Sequence, residues 1–170
     1  NFANRNILLI APGKSSVTQS DIISDYAKAN DCIVIAVNAL IEGYDIDYLF
    51  LQSRVRYEYA RETHPQLFSK IPKILLSNVR EKARDNEYII RYERAIKRGW
   101  VNFDNAMICV LRLLDKLHVQ NIAIAGFDTF SSKYNASYAD EMIPSVHGVE
   151  NWDAMNKEIK EIYKDFRGVL

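Results

Sequence analysis

The sequence predicts an α/β fold, a three-layer αβα sandwich of Rossmann-like type around a mainly parallel sheet. Short apolar runs rich in β-branched residues recur along the chain, which is typical of strands buried on both faces of a parallel sheet. Between these runs, apolar residues recur every three or four positions, as in amphipathic helices. With 170 residues and 48% apolar content, the chain is expected to form one domain spanning residues 1–170.

Strand and helix signals alternate in the first half of the chain. The apolar run at residues 7–11 ends at a small-residue turn, and an amphipathic helix follows. A second run ends at Asn38, so the opening is predicted as a right-handed βαβ unit. A helix from Arg54 is expected to stop at His64–Pro65. The strands of this half are predicted at residues 7–11, 32–37, 48–51 and 74–76.

The second half is predicted to add an extended segment, one strand and two helices. The pattern between residues 79 and 98 is mixed, with the extended segment at 88–92. Asp104 or Asn105 caps a helix of regular apolar spacing, and residues 122–125 form a buried strand. The final helix is expected to pack on the edge of the sheet or on a partner. Its apolar side consists of Trp152, Met155, Ile159, Ile162 and Phe166.

Composition and charge exclude several classes of protein. The 22 basic and 22 acidic side chains balance, so neither nucleic acid nor a membrane surface is a predicted partner. No apolar run approaches the roughly eighteen residues of a membrane-spanning helix, and no signal-type start is present, so a cytoplasmic location is predicted. Cys32 and Cys109 lie in apolar runs and the three histidines are far apart, so no disulfide framework and no metal site are predicted.

The turn after the first predicted strand is a candidate anion site. Ligands of open α/β sheets bind outside the carboxyl ends of the strands, where Gly13, Lys14 and Ser15 lie. A glycine lets backbone amides converge on phosphate, and the lysine adds charge. The alternative is a plain turn that needs glycine. Leu8 stands where a full phosphate loop needs its first glycine, and the dinucleotide fingerprint is absent, so neither triphosphate hydrolysis nor a cofactor is predicted.

Polar residues after other predicted strands are further binding candidates. Asn38 and Ser53 are suited to hydrogen-bond a base or a sugar. Asp128, which follows Gly126 in the last strand-to-loop turn, would accept bonds from sugar or ribose hydroxyls. The alternative for Asp128 is that it only caps the turn.

Arginine and histidine side chains supply the charged candidates. Arg54 or Arg56 directly follows a strand, and a guanidinium there can clamp a phosphate or a carboxylate. Twelve basic residues stand against six acidic ones between positions 54 and 98. This excess either attracts an anionic ligand or lies on a solvated face or against an acidic partner domain. His147, in a polar segment expected to fold over the crevice, is the candidate general base.

Several of these strings resemble one family along most of the chain. They are Ile7–Ser15, Ile35–Asn38, Asp47–Phe50 with Ser53–Arg54 and Arg56–Tyr57, and Ala125–Asp128. They look like the C-terminal domain behind an aldolase barrel, in proteins similar to 4-hydroxy-2-oxovalerate aldolases and hydroxymethylglutaryl-CoA lyases of bacterial polysaccharide loci. The resemblance implies a chain cut from a longer lyase. Its aldol chemistry would reside in an N-terminal barrel of at least about 200 residues, which these 170 residues do not contain.

A second resemblance is to bacterial sialyltransferase-like domains. Gly126-Phe127-Asp128 and Ser137-Tyr138-Ala139 match that pattern. The resemblance implies that Tyr138 stabilises a departing phosphate and that His147 acts as the base. The sequence departs from the pattern at Phe130, where the family has a second tyrosine.

Together these features predict an accessory domain that binds a phosphorylated or nucleotide-linked sugar, with its own catalysis left open. Two alternatives remain. The first is a stand-alone glycosyltransferase in which Tyr138 assists the leaving group and His147 deprotonates the acceptor. The second is a docking or dimerisation module, and therefore a homo-oligomer, that uses the Tyr57–Tyr59 segment and the final helix.

Overall fold

A six-stranded parallel sheet forms the centre of the molecule. The computed structural model describes residues 2–128, 130, 138–144 and 151–166. Within these residues the strands are β1 (Asn6–Ile10), β2 (Ile33–Val37), β3 (Tyr48–Leu51), β4 (Lys73–Leu76), β5 (Glu87–Ile90) and β6 (Asn121–Ala125). Their order is β5-β4-β3-β2-β1-β6, and every neighbouring pair is parallel. The predicted α/β, Rossmann-like fold is confirmed.

Helices cover both faces of this sheet. Among the described residues they are α1 (Ser15–Thr18), α2 (Ser20–Ala29), α3 (Arg54–Thr63), α4 (Pro65–Lys70), α5 (Tyr92–Ala95), α6 (Ala106–Lys116) and α7 (Trp152–Tyr163). Side chains of α2, α3 and α4 pack on one face, and those of α6 and α7 pack on the other. The result is the predicted three-layer sandwich.

Alternation along the strands explains why the sheet is buried on both sides. In β1, Ile7 and Leu9 join the core under α6 and α7, whereas Leu8 and Ile10 pack with Ile23 of α2. All four β1 side chains are at most 2% exposed. Successive side chains of a strand point to opposite faces, so a continuous apolar run is what a central strand requires.

Two local features differ from the sequence expectations, and the final helix has the expected apolar side. The helix expected after the first turn is α2, and the short helix α1, which the sequence pattern does not predict, precedes it. The extended segment expected at residues 88–92 is the strand Glu87–Ile90, and Tyr92 instead begins α5. The final helix packs through Met155, Ile159 and Ile162 into the core cluster that also contains residues of α6 and of the edge strand β6.

The connections diverge between β1 and β6. From β1 the chain crosses over the α2 face to β2, whereas from β5 it returns over the α6 face to β6 on the other side of β1. Such a reversal leaves a crevice at the carboxyl ends of the two strands, where open α/β sheets bind their ligands.

Candidate functional site

The first turn and the Gly126–Asp128 turn lie side by side at the crevice, as the sequence predicts. The Gly13 amide donates to the carbonyl of Gly126 at 2.7 Å. A Cβ on Gly13 would lie 2.3 Å from that carbonyl oxygen, and one on Gly126, whose φ is +67°, would lie 2.0 Å from the carbonyl oxygen of Ala11. Both glycines are therefore needed because the two backbones approach closely.

The backbone amides of Gly13 and Ser15 in the first turn are already hydrogen-bonded. Ser15 donates from its amide to Oδ2 of Asp128 at 2.9 Å and from its hydroxyl to Oδ1 at 2.5 Å. The amides of Ser16 and Val17 donate to carbonyls within the turn. Lys14 is exposed and does not line the cleft described below. This arrangement differs from the phosphate cradle expected here, because a carboxylate occupies the place of the anion.

A cleft opens above the carboxyl ends of β1, β2, β3 and β6, on the side of α6 and α7. The volume of the cleft is about 80 Å³, space for several water molecules. A phosphate or part of a ring fits this space, and the rest of a larger ligand would extend outside. The lining residues are Ala11, Pro12, Gly13, Val37, Asn38, Gln52, Arg56, Asn105, Ala106, Met107, Gly126, Phe127, Asp128, Phe130, Tyr138 and Met155.

Arg56 brings a buried positive charge to this cleft. The residue is only 3% exposed, and its Nε and Nη1 are buried without a hydrogen-bond partner. Its guanidinium carbon lies 4.9 Å from the centre of the Tyr138 ring. Within the described residues no carboxylate forms an ion pair with it. The cap of α3 fixes its position, because Ser53 accepts the Arg56 amide at 3.5 Å and so sets which side of the helix faces inward.

The N-terminus of α6 contributes a second positive feature. Asn105, Ala106 and Met107 line the cleft, and the Asn105 side chain caps the helix by accepting the Met107 amide at 3.0 Å. The dipole of an eleven-residue helix concentrates partial positive charge at this end. Arg56 and the start of α6 therefore make the cleft attractive to an anion.

Polar and apolar walls complete the cleft. Asn38, in the left-handed region with φ +63°, accepts the Gln52 amide at 3.4 Å through its side chain. Phe130 is held by Asn156, which both accepts its amide and donates to its carbonyl. Its ring stacks on Trp152 at 6.2 Å. A ligand in the cleft would thus meet amide groups on one wall and aromatic surface on another.

A short segment at residues 138–144 covers Arg56. Tyr138 pairs with Gly13 in an isolated bridge, and the Ala139 amide donates to the carbonyl of Pro12 at 2.8 Å. Tyr59 of α3 donates to Asp140 at 2.5 Å. This bond holds the pKa of Asp140 below its usual value, and burial together with the same bond raises the pKa of Tyr59 to about 12.

The structure separates the predicted site residues into two groups. Ser53 acts as a helix cap without lining the cleft, Arg54 is exposed, and Ser15 faces a second cavity on the α2 side. His147 lies outside the described residues. The predicted residues that the cleft does bring together are Gly13, Asn38, Arg56, Gly126, Asp128 and Tyr138.

Sequence reasoning missed several lining residues. Gln52 directly follows β3 and could have been found by that position. Asn105 is the N-cap of α6, as the sequence predicts, and that role also places it at the helix end facing the crevice. Met107 and Met155 carry no signal that separates them from core residues. The aromatic segment proposed for docking includes Tyr57, which is 4% exposed and therefore cannot face a partner.

Neither the comparisons with known proteins nor the geometry of the described residues identifies a family, a metal site or a membrane-spanning helix. A scan against protein-family models, a search of curated proteins and a search of solved structures each found no match. No cluster of three or more metal-ligating side chains occurs in the part of the chain that the structure describes. None of the helices in those same residues is long and apolar enough to cross a bilayer.

Proposed function

We propose that this chain is a ligand-binding domain whose cleft takes a phosphorylated or nucleotide-linked sugar. The observation that carries the proposal is the guanidinium of Arg56, buried at the cleft with two unbonded nitrogens. Buried charges in proteins are almost always paired, because an unpaired one forfeits its hydration. A bound anion would supply the missing partner.

The remaining walls support a ligand larger than a bare anion. Asn38 and Gln52 present amide groups that can bond hydroxyls or the edge of a base. Phe127, Phe130 and Met155 provide apolar surface for a ring. A site with mostly apolar walls and a few polar groups is typical of small-molecule binding.

Calorimetry with two matched arginine variants tests the proposal. The probes are cytidine, uridine and guanosine monophosphates and glucose 1-phosphate. Arg56→Gln should weaken the binding of any probe that binds by about ten- to one-hundredfold, the loss of a charge-assisted hydrogen bond. Arg54→Gln removes the same charge from the same helix at an exposed position and should leave affinity unchanged. If no probe binds, or if both variants behave alike, the proposal fails.

The family resemblance supports a further proposal about the parent protein. The domain would accompany an aldolase-type barrel, and any lyase activity would belong to that barrel. The complete reading frame tests this directly. A frame without a second region of at least about 200 residues of repeated strand and helix would contradict it.

A second candidate function is inverting glycosyl transfer from a nucleotide sugar. The position of Tyr138 in the cleft, beside Arg56, favours it, because a phenol there can donate to a departing phosphate. The hypothesis requires that Tyr138→Phe and His147→Ala each abolish hydrolysis or transfer of the sugar. Full activity in either variant excludes this mechanism.

A further inference from the structure

We infer that the cleft selects ligands with a single phosphate group and rejects diphosphates. The inference rests on the proposed function, because it specifies the chemical class of the ligand that the same cleft would take. It follows from where positive charge and free hydrogen-bond donors lie around the cleft.

The cleft has positive charge for one phosphate. Arg56 is the sole cationic side chain among the described residues that line it. The start of α6 adds a partial charge from the helix dipole, and it lies on the lining of the same cleft. One guanidinium and one helix end match one phosphate group. A second phosphate would bring further negative charge, and the described residues that line the cleft hold no second cation to receive it.

Two amides of the turn that usually holds a second phosphate are already used within the fold. In nucleotide-binding α/β proteins the turn after the first strand holds the pyrophosphate through its backbone amides. Here Gly13 donates its amide to the carbonyl of Gly126, and Ser15 donates its amide to the carboxylate of Asp128. No amide of these two residues is left for a ligand.

Asp128 also acts through its charge. It is the sole carboxylate among the described lining residues, and the first turn holds it in place through two hydrogen bonds from Ser15. A phosphate placed beside the first turn would lie against this negative charge. Ligand hydroxyls would instead be accepted by it. The ligand class is therefore a monoester or diester of one phosphate, attached to a hydroxylated group.

The test compares matched nucleotides on the intact chain. Uridine monophosphate and uridine diphosphate share a base and a sugar and differ by one phosphate, so the ratio of their dissociation constants isolates its effect. We expect the monophosphate to bind at least about tenfold more tightly. In Asp128→Asn the dissociation constant of the diphosphate divided by that of the monophosphate should fall by about tenfold or more, because the diphosphate binds more tightly. Asp25→Asn removes an exposed carboxylate elsewhere and should leave the ratio unchanged.

The outcomes separate the two proposals. If neither uridine nucleotide binds, and the same is true of cytidine and guanosine nucleotides and glucose 1-phosphate, the proposed function fails. If the diphosphate binds the wild-type chain as tightly as the monophosphate, this inference fails while the proposed function stands. An unchanged ratio in folded Asp128→Asn overturns the role of Asp128. Should Asp128→Asn not fold, the comparison in the wild-type chain still decides the inference.

Discussion

Among the described residues, two arginines lie over tyrosine rings, and they differ in the groups that pair with their charge. Arg80 lies over Tyr57 at 5.7 Å, donates to the hydroxyl of that tyrosine at 3.0 Å and stands 3.6 Å from Glu87. Arg56 lies over Tyr138 at 4.9 Å, and the described residues hold no carboxylate that pairs with it. In the first arrangement a carboxylate and a hydroxyl of the fold meet the charge, although Nε of Arg80 is itself buried without a hydrogen-bond partner. In the second arrangement the described residues supply no carboxylate to pair with Arg56, and we expect a bound anion to supply the partner.

Glu87 is the residue that closes the first network. It is 8% exposed and accepts from the Tyr57 hydroxyl at 2.7 Å and from the Arg84 amide at 2.9 Å. A buried acid with three donors around it stabilises the fold, whereas an arginine with unbonded nitrogens costs stability. The comparison therefore predicts opposite changes in stability when each charge is removed.

The largest effect is expected at Glu87. Glu87→Gln should lower the free energy of unfolding by about 2 to 3 kcal/mol, because bonds from charged or buried donors to a carboxylate are lost. Urea titration measures the change. Glu81→Gln, at an exposed position of the preceding loop, should stay within about 0.5 kcal/mol of wild type. Equal stability of the two variants would mean that the network around Glu87 does not hold the fold.

A smaller effect of opposite sign is expected at Arg56. Arg56→Met should raise the free energy of unfolding by about 1 kcal/mol, because two unbonded donors at about 1 to 3 kcal/mol each outweigh a cation–π contact of about 1 kcal/mol. The same variant should lose ligand binding, which is the usual trade between stability and function. Arg54→Met should change neither quantity. A loss of stability in Arg56→Met would show that the guanidinium is paired in solution.

The difference between Arg54 and Arg56 also shows what the sequence could predict. Continuous apolar runs located the strands, because a sheet covered on both faces requires them. Both arginines follow a strand, but only the helical phase decides which is buried. That phase is set by the Ser53 cap, and it places Arg56 on the same side as Tyr57 and Ala60.

The first turn shows what the sequence could not predict. The turn at Gly13 was expected to expose amides to a phosphate. A glycine is instead required at this position because the backbone of Gly126 approaches closely. The carboxylate that occupies the turn belongs to Asp128, 113 residues after Ser15. The sequence predicts that the two turns lie side by side, but it does not show that Asp128 bonds to Ser15, because that contact forms only when β6 pairs with β1.

The smallest effect is expected at the contact that holds the cover over Arg56. Tyr59→Phe removes the hydrogen bond to Asp140 and should lower stability near neutral pH by about 0.5 to 1 kcal/mol. The bond depresses the pKa of Asp140, so its contribution is present above the pKa of an unfolded aspartate and is lost as the pH falls through the lower folded value. The raised pKa of Tyr59, about 12, means that its contribution is present below pH 10 and is lost as the pH rises from 10 to 12.

Thermal unfolding at a series of pH values measures both limbs of that dependence. Tyr59→Phe should flatten the acid limb and the alkaline limb together, since one hydrogen bond links the two groups. Tyr26→Phe, an exposed tyrosine on α2, serves as the matched control and should keep both limbs. If Tyr59→Phe keeps the wild-type profile, the segment at residues 138–144 is held over Arg56 by other contacts. Contacts other than the Tyr59–Asp140 hydrogen bond would then contribute most of the stability of the segment over Arg56.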